Sequence, residues 1–575
     1  MRYLAVCAAL LLAACGPPEA EVSGELKRWH TVTLTFAGPQ TSETADPNPF
    51  TEYQFNVVFT GPDGSEVVVP GFFAADGNAA ETGASSGDQW RVRWTPPAIG
   101  EWRYRAEIEG YGLVGEGQLA VAPSDKTAPD FRARGLLRDI NERYPVFAGS
   151  GERFLKSGAD SPENFLAYAD FDATVSQGGA HPEFLHRYEP HVADWREGDP
   201  TWQDGKGKGI IGALNYLASQ GVNSIYFLTQ NVNGDGDDVW PWTRSDAFTR
   251  FDVSKLAQWE IVFEHADRLG IQLHVLTAET ENDRLLDGGD LGPTRKLYYR
   301  ELVARFAHHR ALQWNLGEET KNTPDQLKAH SEYIHSIDPY DHPVVVHTFS
   351  VPERHEETYA PLLGYEWFDG ASMQIRDDPI VHETLVSWIK RSAKLGHQWI
   401  VCFDEQRTGR DGVAPDDMDD SRQDERADHL WATYMAGAAG IEWYFGYEFP
   451  HDDVTLEDFR SREEIWRMTR IAREFFEQNL PFWEMESADD LSPTEGVYVL
   501  AKPIGTYAVY IPSGGTAEFD FPTGNYRIRW FDPANGGDLA QGTTPAMSGP
   551  GIRSLGNAPG DKNQDWLALV ERVSP

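Results

Sequence analysis

A chain of 575 residues is longer than one core can serve, and at ~100 to 200 residues per domain it holds three or four units. The balance of 50 Lys and Arg against 90 Asp and Glu gives a formal net charge of -40, which argues against nucleic acid as a partner and against a groove for an extended polyanion. Of three cysteines, Cys7 lies in an apolar leader and Cys402 in an apolar strand, so no intrachain disulfide framework is available.

Met1-Arg2-Tyr3 precedes an apolar run from Leu4 to Ala14 and then Cys15-Gly16. A positive start, a short apolar segment and small residues predict an export signal too short to span a bilayer. Leu12-Ala13-Ala14-Cys15 resembles the lipobox of bacterial lipoproteins, which implies lipidation at Cys15 and anchoring to the outer membrane or cell surface. Ordinary cleavage near Ala14 would instead leave a periplasmic protein. Residues 1–15 are therefore the expected signal, and 16–24, rich in Pro and Glu, the expected tether.

From 25 to 122 short alternating runs recur: Thr31–Phe36, Tyr53–Phe59, Val67–Val69, Trp90–Trp94 and Trp102–Ala106, with turns at Gly61-Pro-Asp-Gly64 and Pro96-Pro97. The period of two predicts an antiparallel β-sandwich. Trp-Arg-Val-Arg-Trp-Thr-Pro (90–96) and Gly-Glu-Trp-Arg-Tyr (100–104) resemble the N-terminal sandwich of unknown function found ahead of bacterial glycoside hydrolase barrels. Trp90, Trp94 and Trp102 are expected to pack the sandwich rather than form a sugar platform.

After a linker at 123–134 the pattern changes to strand-helix alternation over 135–480, the mark of a parallel sheet. Strands are predicted at Phe154–Gly158, Asn223–Leu228, Gln272–Leu276, from Leu312, Pro343–Thr348, Ser372–Ile375, Trp399–Phe403 and Ile441–Phe445. Helices are predicted near Ile210–Ser219, Val253–Leu269, Pro293–His309, Asp325–Ile337, Glu383–Leu395, Asp428–Ala439 and Glu463–Glu477. Eight such units make the fold class α/β, a (β/α)8 barrel flanked by two sandwiches.

In a barrel the active site is built at the C-terminal strand ends. Here Leu-Gln-Trp-Asn-Leu-Gly-Glu-Glu-Thr (312–320) ends the fourth strand in two carboxylates, and Gln-Trp-Ile-Val-Cys-Phe-Asp-Glu-Gln (398–406) ends the seventh in two more. Glycosidic cleavage needs one carboxyl held protonated for the leaving oxygen and one held ionised. The arrangement resembles the large clan of retaining glycosidase barrels, and that resemblance implies Glu319 as acid/base and Glu405 as nucleophile. Glu318 stands where the clan usually has Asn, which leaves open whether Glu318 or Glu319 is the acid. Glu279, Glu281 and Glu448 are expected as rim salt bridges.

The loops add His186, Gln230, Asn231, Trp240, Asn315, His347, Gln374 and Trp443 as candidate substrate contacts. His181, His186 and His191 lack metal-ligand spacing, so no zinc site is expected. Asp235 and Asp237 resemble a short calcium loop that lacks the EF-hand's final Glu; otherwise no cofactor is expected. Strands return at Gly496–Leu500, Thr506–Ile511, Ala517–Phe521, Tyr526–Trp530 and Trp566–Val570, forming a second sandwich over 490–575. Asn525–Gly536 resembles the C-terminal sandwich labelled collagen-binding that follows apiosidase-like barrels. The resemblances imply a lipid-anchored retaining glycoside hydrolase of plant or algal polysaccharide. A non-catalytic surface glycan-binding lipoprotein is the alternative.

Overall fold

The computed structural model describes residues 19–177, 184–419, 421–503 and 505–573. Cys15, with the leader, and His181 lie outside the described residues.

Eight parallel strands close into a barrel in chain order: β1 (Lys156–Ala159), β2 (Ser224–Leu228), β3 (Gln272–Leu276), β4 (Leu312–Asn315), β5 (Val344–Thr348), β6 (Gly370–Ile375), β7 (Ile400–Gln406) and β8 (Gly440–Trp443). Closure runs through β1 and β8, where Lys156 pairs with Gly440 and Ala159 with Trp443. The helices between them are locally specified. Val253–Leu269 begins where the Asp252 carboxylate accepts the Lys255 N–H and ends at left-handed Gly270. Pro324–Ile337 begins with a reciprocal Thr323/Gln326 capping box. The helix expected near Asp428–Ala439 is instead a π-helical turn, Glu425–Trp431, followed by Ala432–Met435.

The N-terminal sandwich has two four-stranded sheets. One orders Glu21–Gly24, Val32–Ser42, Ser86–Trp94 and Phe72–Phe73; the other Glu66–Pro70, Phe55–Thr60, Gly100–Ile108 and Gly112–Val121. Glu21–Gly24 corrects the expected tether: it pairs antiparallel with Val32–Thr35 as an edge strand, its backbone satisfied by the ladder although all four residues are exposed. Trp90, Trp94 and Trp102 fill the core, with Trp94 stacked on Phe59 at 4.3 Å. Burying a ring the size of Phe59 contributes about 1.5–3 kcal/mol.

This sandwich docks on the barrel through polar anchors: Thr95 Oγ1 donates to the His308 carbonyl (2.6 Å) and Arg310 Nε to the Trp29 carbonyl (2.7 Å). The segment before β1 is a hairpin, Leu137–Arg138 with Val146–Phe147, rather than barrel wall. Phe131, Leu137, Phe147 and Phe154 pack there with Ala311, just ahead of β4. At the other end a six-stranded sheet, Glu486–Ser487, Tyr498–Lys502, Thr506–Ile511, Trp566–Val573, Asn525–Phe531 and Ala546–Ser548, is accompanied by the pair Glu518–Phe521 and Gly551–Ser554. It holds the barrel by Tyr510 stacked on Trp431 at 5.3 Å, by Phe531 against Phe475 at 4.4 Å and by the buried Arg426–Asp565 pair at 2.8 Å. Among the described residues no helix is long and apolar enough to cross a membrane.

Candidate active site

β4 ends at Asn315 and the chain turns through Gly317 into the two glutamates. Glu319 has a left-handed backbone, φ 35°. Such a conformation costs a non-glycine residue about 1–3 kcal/mol and persists where the surroundings enforce it. Here Thr280 Oγ1 donates to the Glu319 carbonyl. The twist sends adjacent carboxylates to different neighbours: Glu318 meets Glu279 and Glu163, whereas Glu319 meets Glu405 and His347.

On the far side, the β6–β7 register shifts by one residue, so that Met373 faces Phe403 while Gln374 faces Glu405. Asp404 is the extra residue. In a regular strand Asp404 and Glu405 would point to opposite sides of the barrel wall. The bulge turns both inward, Asp404 to Lys156 Nζ at 2.6 Å and Glu405 to Gln374 and His347. The Gln374 amide donates to Glu405 Oε1 and also bonds Glu319, so one amide lies between the two candidate carboxylates.

Burial first, and then the Glu405 charge, pushes Glu319 up to about 7. Burial also raises Glu405, to about 8, against the Gln374 hydrogen bond that favours its anion. Burial lowers His347 to about 4, so it is neutral at pH 7. Its Nδ1 lies 2.8 Å from the Tyr226 hydroxyl and its Nε2 3.2 Å from Glu405 Oε2.

Around this centre sit acids that sequence reasoning missed: Asp160 beyond β1, Glu163 and Asp453. Asp160 and Ser161 donate their N–H groups to the Trp443 carbonyl, and Glu163 N–H donates to Asp453 Oδ1 at 3.1 Å. Burial, then neighbouring carboxylates, raises Asp160 and Glu163 well above the usual range. Burial raises Asp453 likewise. Glu279, expected as a rim salt bridge, is 3% exposed and hydrogen-bonds Glu318, a contact that requires a shared proton; burial takes it to about 8. Glu448 does pair with Arg410, at 3.1 Å, and Glu281 is exposed.

Beneath the mouth the barrel interior holds a second polar layer. Lys156 Nζ meets Asp404 and Glu442 (2.8 Å), His274 Nδ1 meets Glu442 (2.7 Å) and the Ser224 hydroxyl donates to Glu442. Burial would raise Glu442, but Lys156 and His274 outweigh it and hold the carboxyl at about 2. A lysine and a glutamate within short barrel strands were the sequence signal for this layer.

The remaining candidates divide. Gln230 is fully buried after β2 with neither amide atom hydrogen-bonded. Asn231 closes the loop through backbone bonds to Val239, its Oδ1 unpartnered. Four candidates are corrected. Asn315 is spent on structure, its Oδ1 accepting the His347 and Gly317 N–H groups. His186 is fully buried, stacked on Tyr188 at 4.9 Å and bonded to Asn164. Trp240 is buried beneath the Lys255 ammonium. Trp443 is fully buried with Nε1 on Thr469 of the last barrel helix, because strand parity turns it out of the barrel.

The loop 230–242 carries the expected calcium ligands Asp235 and Asp237, and each has a partner within the protein. Asp235 accepts from the Tyr447 hydroxyl, Asp237 from Gly234 N–H (3.1 Å) and Asp238 from the Asn164 amide (3.4 Å). The Asp235–Tyr447 contact joins the loops after β2 and β8. Gly234 lies so close beneath that an added Cβ would sit 2.4 Å from Glu279 Cγ.

Residues 25–109 match the family model described as a domain of unknown function, DUF5060. No curated protein matches the chain. Among solved structures, a protein of Bacteroides vulgatus ATCC 8482 provisionally described as a glycoside hydrolase aligns with TM-score 0.64 and 14% identity, over 95% of this chain and 99% of that one. A family 5 glycoside hydrolase from the same organism aligns with TM-score 0.56 and 15% identity, over 78% and 95%. A further structure described as a glycoside hydrolase gives 0.55 and 13%, over 78% and 99%. The chain thus shares its fold with solved structures described as glycoside hydrolases, over nearly its whole length with the first and over 78% of it with the other two.

Proposed function

We propose that the protein is a retaining glycoside hydrolase of plant or algal polysaccharide or its oligosaccharides. The observation that carries this reading is the pair Glu319 and Glu405, presented by the ends of β4 and β7 and joined by one glutamine amide. Glu319, held protonated near neutral pH, donates to the glycosidic oxygen as the bond breaks. Glu405, raised by burial to about 8 with its anion favoured by the Gln374 hydrogen bond, attacks the anomeric carbon in the form of the pair that leaves the shared proton on Glu319. Glu319 then takes a proton from the water that releases the sugar. A separation of ~5 to 5.5 Å between the carboxyl groups in the substrate complex makes the enzyme retaining, and ~6.5 to 9.5 Å would make it inverting. Glu318 shares its proton with Glu279 instead, which favours Glu319 as the acid.

Among the described residues neither Glu319 nor Glu405 is ion-paired to a lysine or arginine, which weighs against the binding-only lipoprotein. Export and anchoring through lipidated Cys15 complete the proposal, and mass spectrometry of the mature N-terminus tests them. Activity is tested by product release from neutral, uronic and sulfated polysaccharides, with NMR of the product anomer. Release by the wild type that disappears in Glu319→Gln and Glu405→Gln supports the hydrolase. Binding without release, equal in all three proteins, sinks it.

A further inference from the structure

A second feature of the mouth is unused by this mechanism. Asp160 is fully buried, and neither of its carboxylate oxygens has a hydrogen-bond partner. Lys156 and Gly158 of β1 face the barrel interior, where Lys156 meets Glu442 and a Cβ on Gly158 would sit 2.6 Å from Glu442 Cγ, and Asp160 follows at the same parity beyond the C-terminal end of the strand. After burial, Glu405, Asp453, Glu442 and Asp404 raise it, and Asp453, Asp160 and Glu279 raise Glu163, which is 5% exposed. An unpaired buried carboxylate costs several kcal/mol unless it is protonated or meets a cation. The strongly acidic composition does not explain the cluster, because an acidic surface keeps its charges in water.

The surface that follows β6 and β7 is acidic too. A cavity of about 800 Å³ opens beside Arg376 and Arg407, the residues that follow β6 and β7, and its wall carries Asp377, Asp378, Asp424 and Glu448. Arg407 is already paired with Asp378 at 3.1 Å and Arg376 with Asp377 at 3.2 Å. An anionic sugar would meet acids at the centre itself, and a neutral sugar would leave Asp160 unanswered.

A metal ion is the other occupant that acids suggest. It needs converging, deprotonated ligands. Here Glu279 and Glu318 hold a proton between them, and the acids come from β1, β3, β4 and the loop after β8, around the rim of the space the substrate must fill. An ammonium on a sugar ring needs only one or two carboxylate acceptors at hydrogen-bond distance.

We propose that the sugar bound across Glu319 and Glu405 carries a protonated amine, as in glucosamine oligomers, and that Asp160 receives the ammonium with Glu163 and Asp453 beside it. The inference rests on the hydrolase reading for the site but not for its test, and it puts an amino-sugar polymer in place of the plant or algal polysaccharide of that reading. Calorimetry on the Glu405→Gln variant would compare oligomers of glucosamine, N-acetylglucosamine and glucose of equal length at pH 7. The expected result is at least tenfold tighter binding of the glucosamine oligomer. Its binding should release a proton, seen as a heat that depends on the buffer's ionisation enthalpy, because Asp160 must ionise to receive the ammonium. Asp160→Asn added to that variant should remove the preference and leave the neutral oligomers unchanged. Glu163→Gln should weaken the preference by a smaller factor, and it keeps the test open if the Asp160 variant does not fold.

Equal binding of the three oligomers, tighter binding of a uronic oligomer, or a preference untouched by Asp160→Asn would overturn the proposal. So would Ca²⁺ raising the melting temperature in an Asp160-dependent way without any amine preference. Release of neutral sugars by the wild type with no amine preference would leave the hydrolase standing and remove only this inference. Asp160-dependent amine binding without release from any polymer would do the reverse.

Discussion

Two polar layers lie one above the other inside this barrel and obey opposite rules. In the lower one Lys156, Asp404, Glu442, His274 and Ser224 answer one another, and the Glu442 carboxyl is held far below its ordinary range by Lys156 and His274, while burial keeps Asp404 raised beside the same lysine. In the upper one Asp160, Glu163, Glu318, Glu319, Glu405 and Asp453 face one another, and every one of them is raised. Both layers are buried, so burial alone does not separate them. The difference is the presence of a base. A layer that contains its own counter-charge is complete when the protein folds, whereas a layer of acids alone is completed by protons or by a ligand. The boundary between them passes between Asp404 and Glu405, and the β7 bulge assigns one residue to each.

The contrast breaks most visibly through activity. Glu405→Gln or Glu319→Gln should lower kcat by about 10²- to 10⁴-fold, the range supplied by a positioned proton donor, while the melting temperature holds or rises because an isosteric amide relieves repulsion. A fall in melting temperature as large as the fall in rate would place these residues in the structural layer instead. The lower layer should respond the opposite way. Lys156→Met leaves Asp404 and Glu442 buried without their cation, and breaking such a pair costs about 3–5 kcal/mol, read as a shift of the urea midpoint.

How each layer relates to the sequence differs as well. The barrel was legible because each strand is a short apolar run between helices with their own caps; Val253–Leu269, bracketed by Asp252 and Gly270, was placed to the residue. The carboxylates at 318–319 and 405 were legible because they close two of those runs. Asp160, Glu163 and Asp453 were not, since each lies in a loop and they meet only when β1 and β8 close the barrel. Trp443 misled because a one-residue change of strand parity moves a side chain from the mouth to the helix layer, and sequence does not fix that parity. The bulge at Asp404 was hidden for the same reason. Gly112–Val121, thin in large apolar residues, was an edge strand that period-two reading passed over.

The proposed proton assignment also predicts a pH profile. With Glu319 at about 7 and Glu405 at about 8, the pair holds a single proton mainly between those values, so kcat/KM should peak between pH 7 and 8 and drop about tenfold per pH unit along the alkaline limb. Glu319→Gln should abolish that limb together with the rate. A profile flat to pH 9 would assign the donor to another group, with Glu318 next in line.

The smallest effect is the most discriminating between the layers, because it reverses sign. Asp453 has a folded value raised well above its unfolded value of about 3.9, so its contribution to stability is fully present below pH 4 and is lost as pH rises toward the folded value. Asparagine keeps the oxygen that accepts the Glu163 N–H and does not titrate. Asp453→Asn should therefore match the wild type near pH 4 and exceed it by a margin that grows as pH rises to 8. Glu442 is depressed to about 2, so its contribution is present above about 4.3 and disappears as pH falls through 2. Glu442→Gln should destabilise at pH 7 and lose most of that penalty in acid. If both variants destabilise at pH 8, Asp453 has a counter-charge in solution that the folded chain does not supply, and the upper layer is completed by a bound cation rather than by protons.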